Sequence, residues 1–220
     1  MATCVLIPAY NAERTIEAVV RDCLVHDMPL VVVDDGSSDR TAQLLAHFPL
    51  TLLRHERNRG KGAALKTGFA WALEAGFDGV VTIDADGQHD ASAIPALVMA
   101  AREAEPGIMI ASRYRQFEQM AGLRKIWNRI GVWFMRTRTG FEITDSQSGF
   151  RYYSGTLLAH VSMDSEGYAL EMEILIKAWK SGFCISSIPV AALVVDGRPT
   201  SHYRPFRDTV NISMTFLRYM

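Results

Sequence analysis

The chain has 220 residues, 49% of them hydrophobic and 21% charged, which excludes a disordered chain and fits one domain with a sizeable core. A formal net charge of -1 excludes a protein that is basic throughout, so no nucleic-acid partner is expected, while a local basic patch stays compatible with it. Cys4, Cys23 and Cys184 sit among apolar residues without a CxxC pair, so buried thiols in a reducing, cytoplasmic setting are expected and a disulfide framework is not.

In chain order, Thr3–Pro8 reads as a buried strand and Ala12–Val25 as a helix with Ile16, Val19, Val20 and Leu24 on one face. Leu30–Val33 reads as a second strand, ending in an acidic cluster, Asp34 to Asp39, that supplies a turn and a helix cap. Strand Leu50–Leu53, helix Gly60–Ala75, strand Gly79–Ile83, helix Ala91–Glu105 and strand Ile108–Ala111 follow. This βαβα rhythm predicts an α/β fold: a Rossmann-like, mostly parallel sheet flanked by helices on both faces, with ligands beyond the carboxyl ends of the strands. Later, Leu123–Met135, Tyr168–Ser181 and Asp208–Met220 read as helices, and Phe183–Pro189 and Ala191–Val195 as strands. No apolar run reaches the roughly 20 residues a membrane span needs, and Met1–Pro8 lacks the pattern of a secretory signal.

Chemistry gathers at the strand ends. Asp84-Ala85-Asp86 follows an apolar strand, and two carboxylates one residue apart can converge on a hard cation that bridges phosphates. Gln88 can add a carbonyl oxygen; a surface turn is the bland alternative. Asp34-Asp35 can accept from a base or a ribose, or the cluster can simply cap a helix. After Pro8, Tyr10 can stack on a base and Glu13 can bind ribose, or the segment is a plain turn. Asn58–Thr67 carries glycines and lysines, but Leu65 stands where a phosphate loop needs glycine. Lys61 and Arg59 are therefore read as a phosphate contact or a solvated helix start.

The set IPAYNAERTI, VVVDDGSSDRT, NRGKGAALKTGF, DADGQHD, SRY and DSQSGFR, in that order, closely resembles the family 2 glycosyltransferases of the GT-A fold, within them the dolichyl- or polyprenyl-phosphate mannose synthases. The resemblance implies a single GT-A domain over 1–220, with a nucleotide-binding half to about 112 and an acceptor-binding half beyond. It implies that Pro8, Tyr10, Glu13, Val33 and Asp35 hold the nucleoside and that Asp84 and Ala85 contact the donor. By the same resemblance Asp84, Asp86 and Gln88 form the site for Mg2+ or Mn2+. Arg113 and Arg124 would meet an acceptor phosphate, and Ser148 and Arg151 would line the acceptor side. Where related synthases carry a late Gly-x-Ser-Lys segment, this chain has Pro199-Thr200-Ser201-His202, leaving His202 or Arg204 to face the diphosphate.

The implied reaction moves a hexose, mannose or glucose, from GDP-mannose or UDP-glucose to a polyprenyl phosphate. A hydroxyl of a glycolipid or polysaccharide is the alternative acceptor. A nucleotidyltransferase and a non-catalytic binding module are rivals of other classes, the first disfavoured because Ala9–Glu13 holds no glycine. Between Arg113 and Arg138 stand seven basic residues and one acid, Glu118, interleaved with Trp127, Trp133 and Phe134. Such a segment suits an anionic membrane surface or lipid phosphate, or a core helix with solvated charges. Peripheral contact with the cytoplasmic face of a membrane is expected, with room for a membrane-protein partner or an oligomer.

Overall fold

A computed structural model describes residues 2–112 and 148–191, together with Met214, Arg218 and Tyr219. Arg113, Arg124, His202, Arg204, the helix expected at 123–135 and the strand expected at 191–195 lie outside it, apart from Ala191. Of the expected closing helix, Met214, Arg218 and Tyr219 are described, and they are helical.

Apolar runs such as VLI and VVV are stable as strands when both faces are covered. The chain supplies β1 (Thr3–Ala9), β2 (Leu30–Asp34), β3 (Thr51–Arg54), β4 (Gly79–Thr82), β5 (Ile108–Ser112), β6 (Arg151–Ser154) and β7 (Ile185–Pro189). They form one sheet in the order β3-β2-β1-β4-β6-β5-β7. Neighbours pair in parallel except around β6, which runs antiparallel to β4 and β5. Six strands therefore end at one edge of the sheet, and β6 begins there.

The helices are α1 (Ile16–Leu24), α2 (Thr41–Leu45), α3 (Lys61–Glu74), α4 (Ile94–Ala104), α5 (Gly155–His160) and α6 (Ala169–Lys180). A short 3-10 turn, Ala91–Ala93, precedes α4, so the helix expected from 91 divides into two pieces. Two cores result. One gathers Leu65 and Phe69 of α3, Leu157 of α5 and Leu175 of α6. The other gathers Ile16 and Val20 of α1 and Leu97 of α4. Alternate residues of β1 divide between them: Cys4 and Leu6 join the first, Val5 and Ile7 the second, as a period of two requires.

Two elements escaped the sequence reading. β6 has four residues, RYYS, with no alternation, and α5 has six, capped by the Ser154 hydroxyl accepting from the Leu157 N–H at 3.2 Å. One cysteine also departs from expectation. Cys4 and Cys23 are buried, and burial pushes both thiols up to about 12, whereas Cys184 is exposed.

Candidate active site

The loops after β1 and β2 are locked together by side chains. The Asp39 carboxylate accepts from the Thr41 N–H at 2.9 Å and the Thr41 hydroxyl at 2.6 Å, and from the Glu13 N–H at 3.1 Å. It thereby caps α2 and holds the segment after Tyr10. Glu13 in turn accepts from the Arg40 N–H and Nε, both at 3.2 Å. The fully buried Asp34 accepts from the Ser37 N–H at 3.0 Å, with Arg54 Nε 3.0 Å from its second oxygen. Pro8 and Tyr10 are half-buried at the β1 end. Val33 is fully buried in the core with Leu6 and Phe69, so its side chain supports this wall from beneath.

Asp35 organises the next loop. One oxygen meets His55 Nδ1 at 2.6 Å and the Arg59 N–H at 2.9 Å; the other accepts from the Gly60 N–H at 2.7 Å. His55 Nε2 reaches the Thr67 hydroxyl on α3 at 2.9 Å. This carboxylate shapes the 55–60 loop and so aims the first residue of α3, Lys61.

Lys61 is not a solvated helix start. Its side chain is 14% exposed, and its Nζ lies 2.7 Å from Asp84 Oδ1 and 3.1 Å from Glu171 Oε2. The Tyr168 ring centre is 5.3 Å from the same nitrogen. Burial alone would lower the ammonium's pKa, but Asp84 and Glu171 outweigh it and hold the group charged far beyond its ordinary range. Sequence reading missed Glu171 and Tyr168, which begin α6, because their helical spacing gives no sign that the helix start faces β4.

Asp84 and Asp86 stand beyond the β4 end. Burial opposes the Asp84 charge, yet Lys61, with His89 Nε2 at 3.6 Å, holds its carboxyl well below the usual carboxylate range. Asp86 moves the other way: burial first, and the neighbouring Asp84 charge second, push its pKa up. Asp86 Oδ1 accepts from the Gln88 N–H at 3.0 Å, closing a tight turn, and the Ala85 carbonyl accepts from the Thr15 hydroxyl at 2.6 Å. Among the described residues no three His, Cys, Asp or Glu side chains already converge as a metal cluster. The donor set nevertheless fits a hard divalent cation. Burial and the Asp84 charge both disfavour the ionised Asp86, a cost that a bound cation would relieve, and Asp84 beside it and the amide of Gln88 two residues on are further oxygen donors.

Because β6 begins at this edge, Ser148-Gly149-Phe150 closes against Asp84. A Cβ on Gly149 would sit 2.2 Å from Asp84 Oδ2. Arg151 is fully buried and turned inward, its Nε donating to the Ser148 carbonyl at 2.6 Å and its Nη1 to the Glu171 carbonyl at 3.2 Å. Its guanidinium thus braces β6 against α6. Ser148 is buried as well, its hydroxyl accepting from the Phe150 N–H at 3.3 Å.

Residues 4–165 match the sequence profile of glycosyl transferase family 2. The UDP-N-acetylglucosamine–dolichyl-phosphate N-acetylglucosaminyltransferase of Methanococcus voltae is 30% identical over 215 residues, 87% of this chain and 85% of that protein. The undecaprenyl-phosphate mannosyltransferase of Micrococcus luteus is 30% identical over 86% of this chain and 83% of its own length. Glucosyl-3-phosphoglycerate synthase from Mycobacterium tuberculosis, solved with Mn2+, UDP and phosphoglyceric acid, shares the fold with a TM-score of 0.80. That alignment covers 99% of this chain and 78% of that one, at 22% identity.

Proposed function

The chain belongs to glycosyltransferase family 2, and we propose that it moves a hexose, mannose or glucose, with inversion, from a nucleotide sugar to a polyprenyl phosphate. Its α/β sheet is that of the GT-A glycosyltransferases. The observation that carries the reading is the Lys61–Asp84–Asp86 constellation at the β4 end, one ammonium and two carboxylates at the edge where the nucleoside-side loops also converge. Relatives named for dolichyl-phosphate and undecaprenyl-phosphate transfer support the acceptor class.

In this reading Asp84, Asp86 and Gln88 hold Mg2+ or Mn2+, which when bound neutralises the leaving diphosphate as a Lewis acid. Pro8, Tyr10, Glu13, Val33 and Asp35 form the nucleoside wall, Val33 from beneath and Asp35 through the 55–60 loop that it holds, and Ala85 lies against the donor. His202 or Arg204 serves the diphosphate. Lys61, fixed by Asp84 and Glu171, places a permanent positive charge at the centre of the site and stabilises charge developing on donor oxygens. A lipid monophosphate is already anionic near neutral pH, so the acceptor needs cations to hold it and not a general base to activate it. Arg113 and Arg124 fill that role, with the Ser148–Arg151 turn framing the acceptor side. The chain works at the cytoplasmic face of a membrane, drawn there by its basic, aromatic segment; among the described residues no helix is long and apolar enough to cross one.

The test is transfer. Purified protein with Mn2+, a panel of labelled donors and polyprenyl phosphate yields labelled lipid. D86A abolishes it to near background, while a non-catalytic module would show no turnover to lose. Label appearing on a saccharide hydroxyl, with the lipid blank, overturns the acceptor claim.

A further inference from the structure

Glu173, on the side of α6 away from Glu171, takes no part in the constellation just described, yet its side chain is fully buried and completely partnered. Its two oxygens accept from the Asp164 N–H at 2.9 Å and the Ser165 N–H at 2.6 Å, and it pairs with Lys177 one turn along the helix. Lys177 also donates to the Ser162 carbonyl and to Asp164 Oδ2, both at 2.8 Å. Its Nζ lies 4.9 Å from the ring centre of Tyr219, near the chain's end. The loop 162–167 is thus folded back onto the helix it precedes.

The far side of that loop is pressed against α3. A Cβ on Gly62 would stand 2.8 Å from the Gly167 nitrogen and 2.9 Å from its oxygen, so loop and helix meet backbone to backbone. One residue before Gly62 is Lys61, and one after Gly167 is Tyr168, whose ring faces the Lys61 ammonium. Moving the loop therefore moves Tyr168 and the α6 start that carries Glu171, two of the three groups that surround Lys61.

We propose that Glu173, with Lys177, is a positioning residue. It clamps the 162–167 loop against the first turn of α3 and so fixes Lys61 between Asp84 and Glu171. The inference rests on the functional reading above only in taking Lys61 as part of the catalytic site. Displacement by about 1 Å is enough to cost on the order of 100-fold in rate.

The experiment is a double-mutant cycle on release of nucleoside diphosphate from the donor with Mn2+, run with and without polyprenyl phosphate. Release to water keeps the readout independent of the acceptor claim, so failure of that claim is seen separately. E173Q keeps the side chain's shape but loses its charge, and lowers kcat/KM at least 10-fold. In a K61M background the same substitution costs less than 2-fold, because its effect runs through Lys61. G62A pushes the loop from the opposite side, follows the same pattern, and decides the question by the same rule should E173Q fail to fold. A purely structural role would give equal losses in both backgrounds; that result, or an E173Q enzyme at wild-type kcat/KM, overturns the proposal.

Discussion

Lys61 and Gly149 decide the site's geometry from opposite sides of Asp84. Lys61 was legible in the sequence only as a choice between phosphate contact and solvent, because nothing local announces that Glu171, 110 residues later, completes its cage. K61M removes the cation from the buried Glu171 and the partly buried Asp84, and breaking such a pair costs roughly 3 kcal/mol of stability. Both a lowered urea midpoint and a large fall in turnover are expected. Gly149 is a matter of space: the added methyl of G149A would meet Asp84 Oδ2 at 2.2 Å and its Cγ at 2.7 Å, so the Asp84 carboxylate itself must shift. Mn2+ affinity, read by electron paramagnetic resonance, is expected to drop at least tenfold in G149A with the fold retained; unchanged affinity would show that Asp84 is not a ligand. Acid acts on the neighbouring group. Asp86 has a raised pKa and a cation needs it ionised, so Mn2+ affinity falls as pH drops through that raised value, earlier than for an ordinary aspartate.

At the scale of elements, β1 to β5 were readable because each is a short apolar run bounded by turn or helix signals, and the bounds agree within two residues. β6 and α5 were not, since four residues without alternation and a six-residue helix give periodicity nothing to act on. Their effect on the site is large: β6 runs against its neighbours and so delivers Ser148-Gly149 to the same edge as Asp84. The α6 clamp is visible in the sequence only as an i,i+4 Glu173–Lys177 pair, an ordinary surface motif that here is buried. Burial alone would raise the Glu173 pKa, but Lys177 and the N–H groups of Asp164 and Ser165 outweigh it and lower the pKa below the ordinary 4.5. A lowered carboxyl pKa contributes stability that is complete above the ordinary value and lost as pH falls through the folded one. Urea denaturation should therefore show E173Q less stable than wild type by roughly 3 kcal/mol at pH 7. The gap should narrow as the pH is taken well below about 4.5. A gap independent of pH would mean that the carboxylate charge is not what the clamp uses.

For the whole molecule, topology explains why scattered motifs act together. Six strands end and one begins at a single edge, so residues from 10 to 171 gather at that edge although no two of the motifs adjoin in sequence. The loops after β1 and β2 and the Asp84–Gln88 turn drew attention in the sequence by their place after apolar strands. The acceptor side was read from composition, a basic run from Arg113 to Arg138 in a chain of net charge -1. If that run meets a lipid surface, the protein co-sediments with vesicles containing phosphatidylglycerol at low salt and is released as ionic strength rises, while neutral vesicles leave it in solution. Salt-independent binding, or none, would argue for a core helix.

The acceptor is the central claim, and phosphorus NMR addresses it directly. With Mn2+, a donor sugar and a short-chain polyprenyl phosphate, the lipid monoester resonance should give way to a diester resonance as nucleoside diphosphate accumulates, and D86A should leave the monoester untouched. A persistent monoester signal, while the sugar is transferred to a hydroxyl, would contradict it.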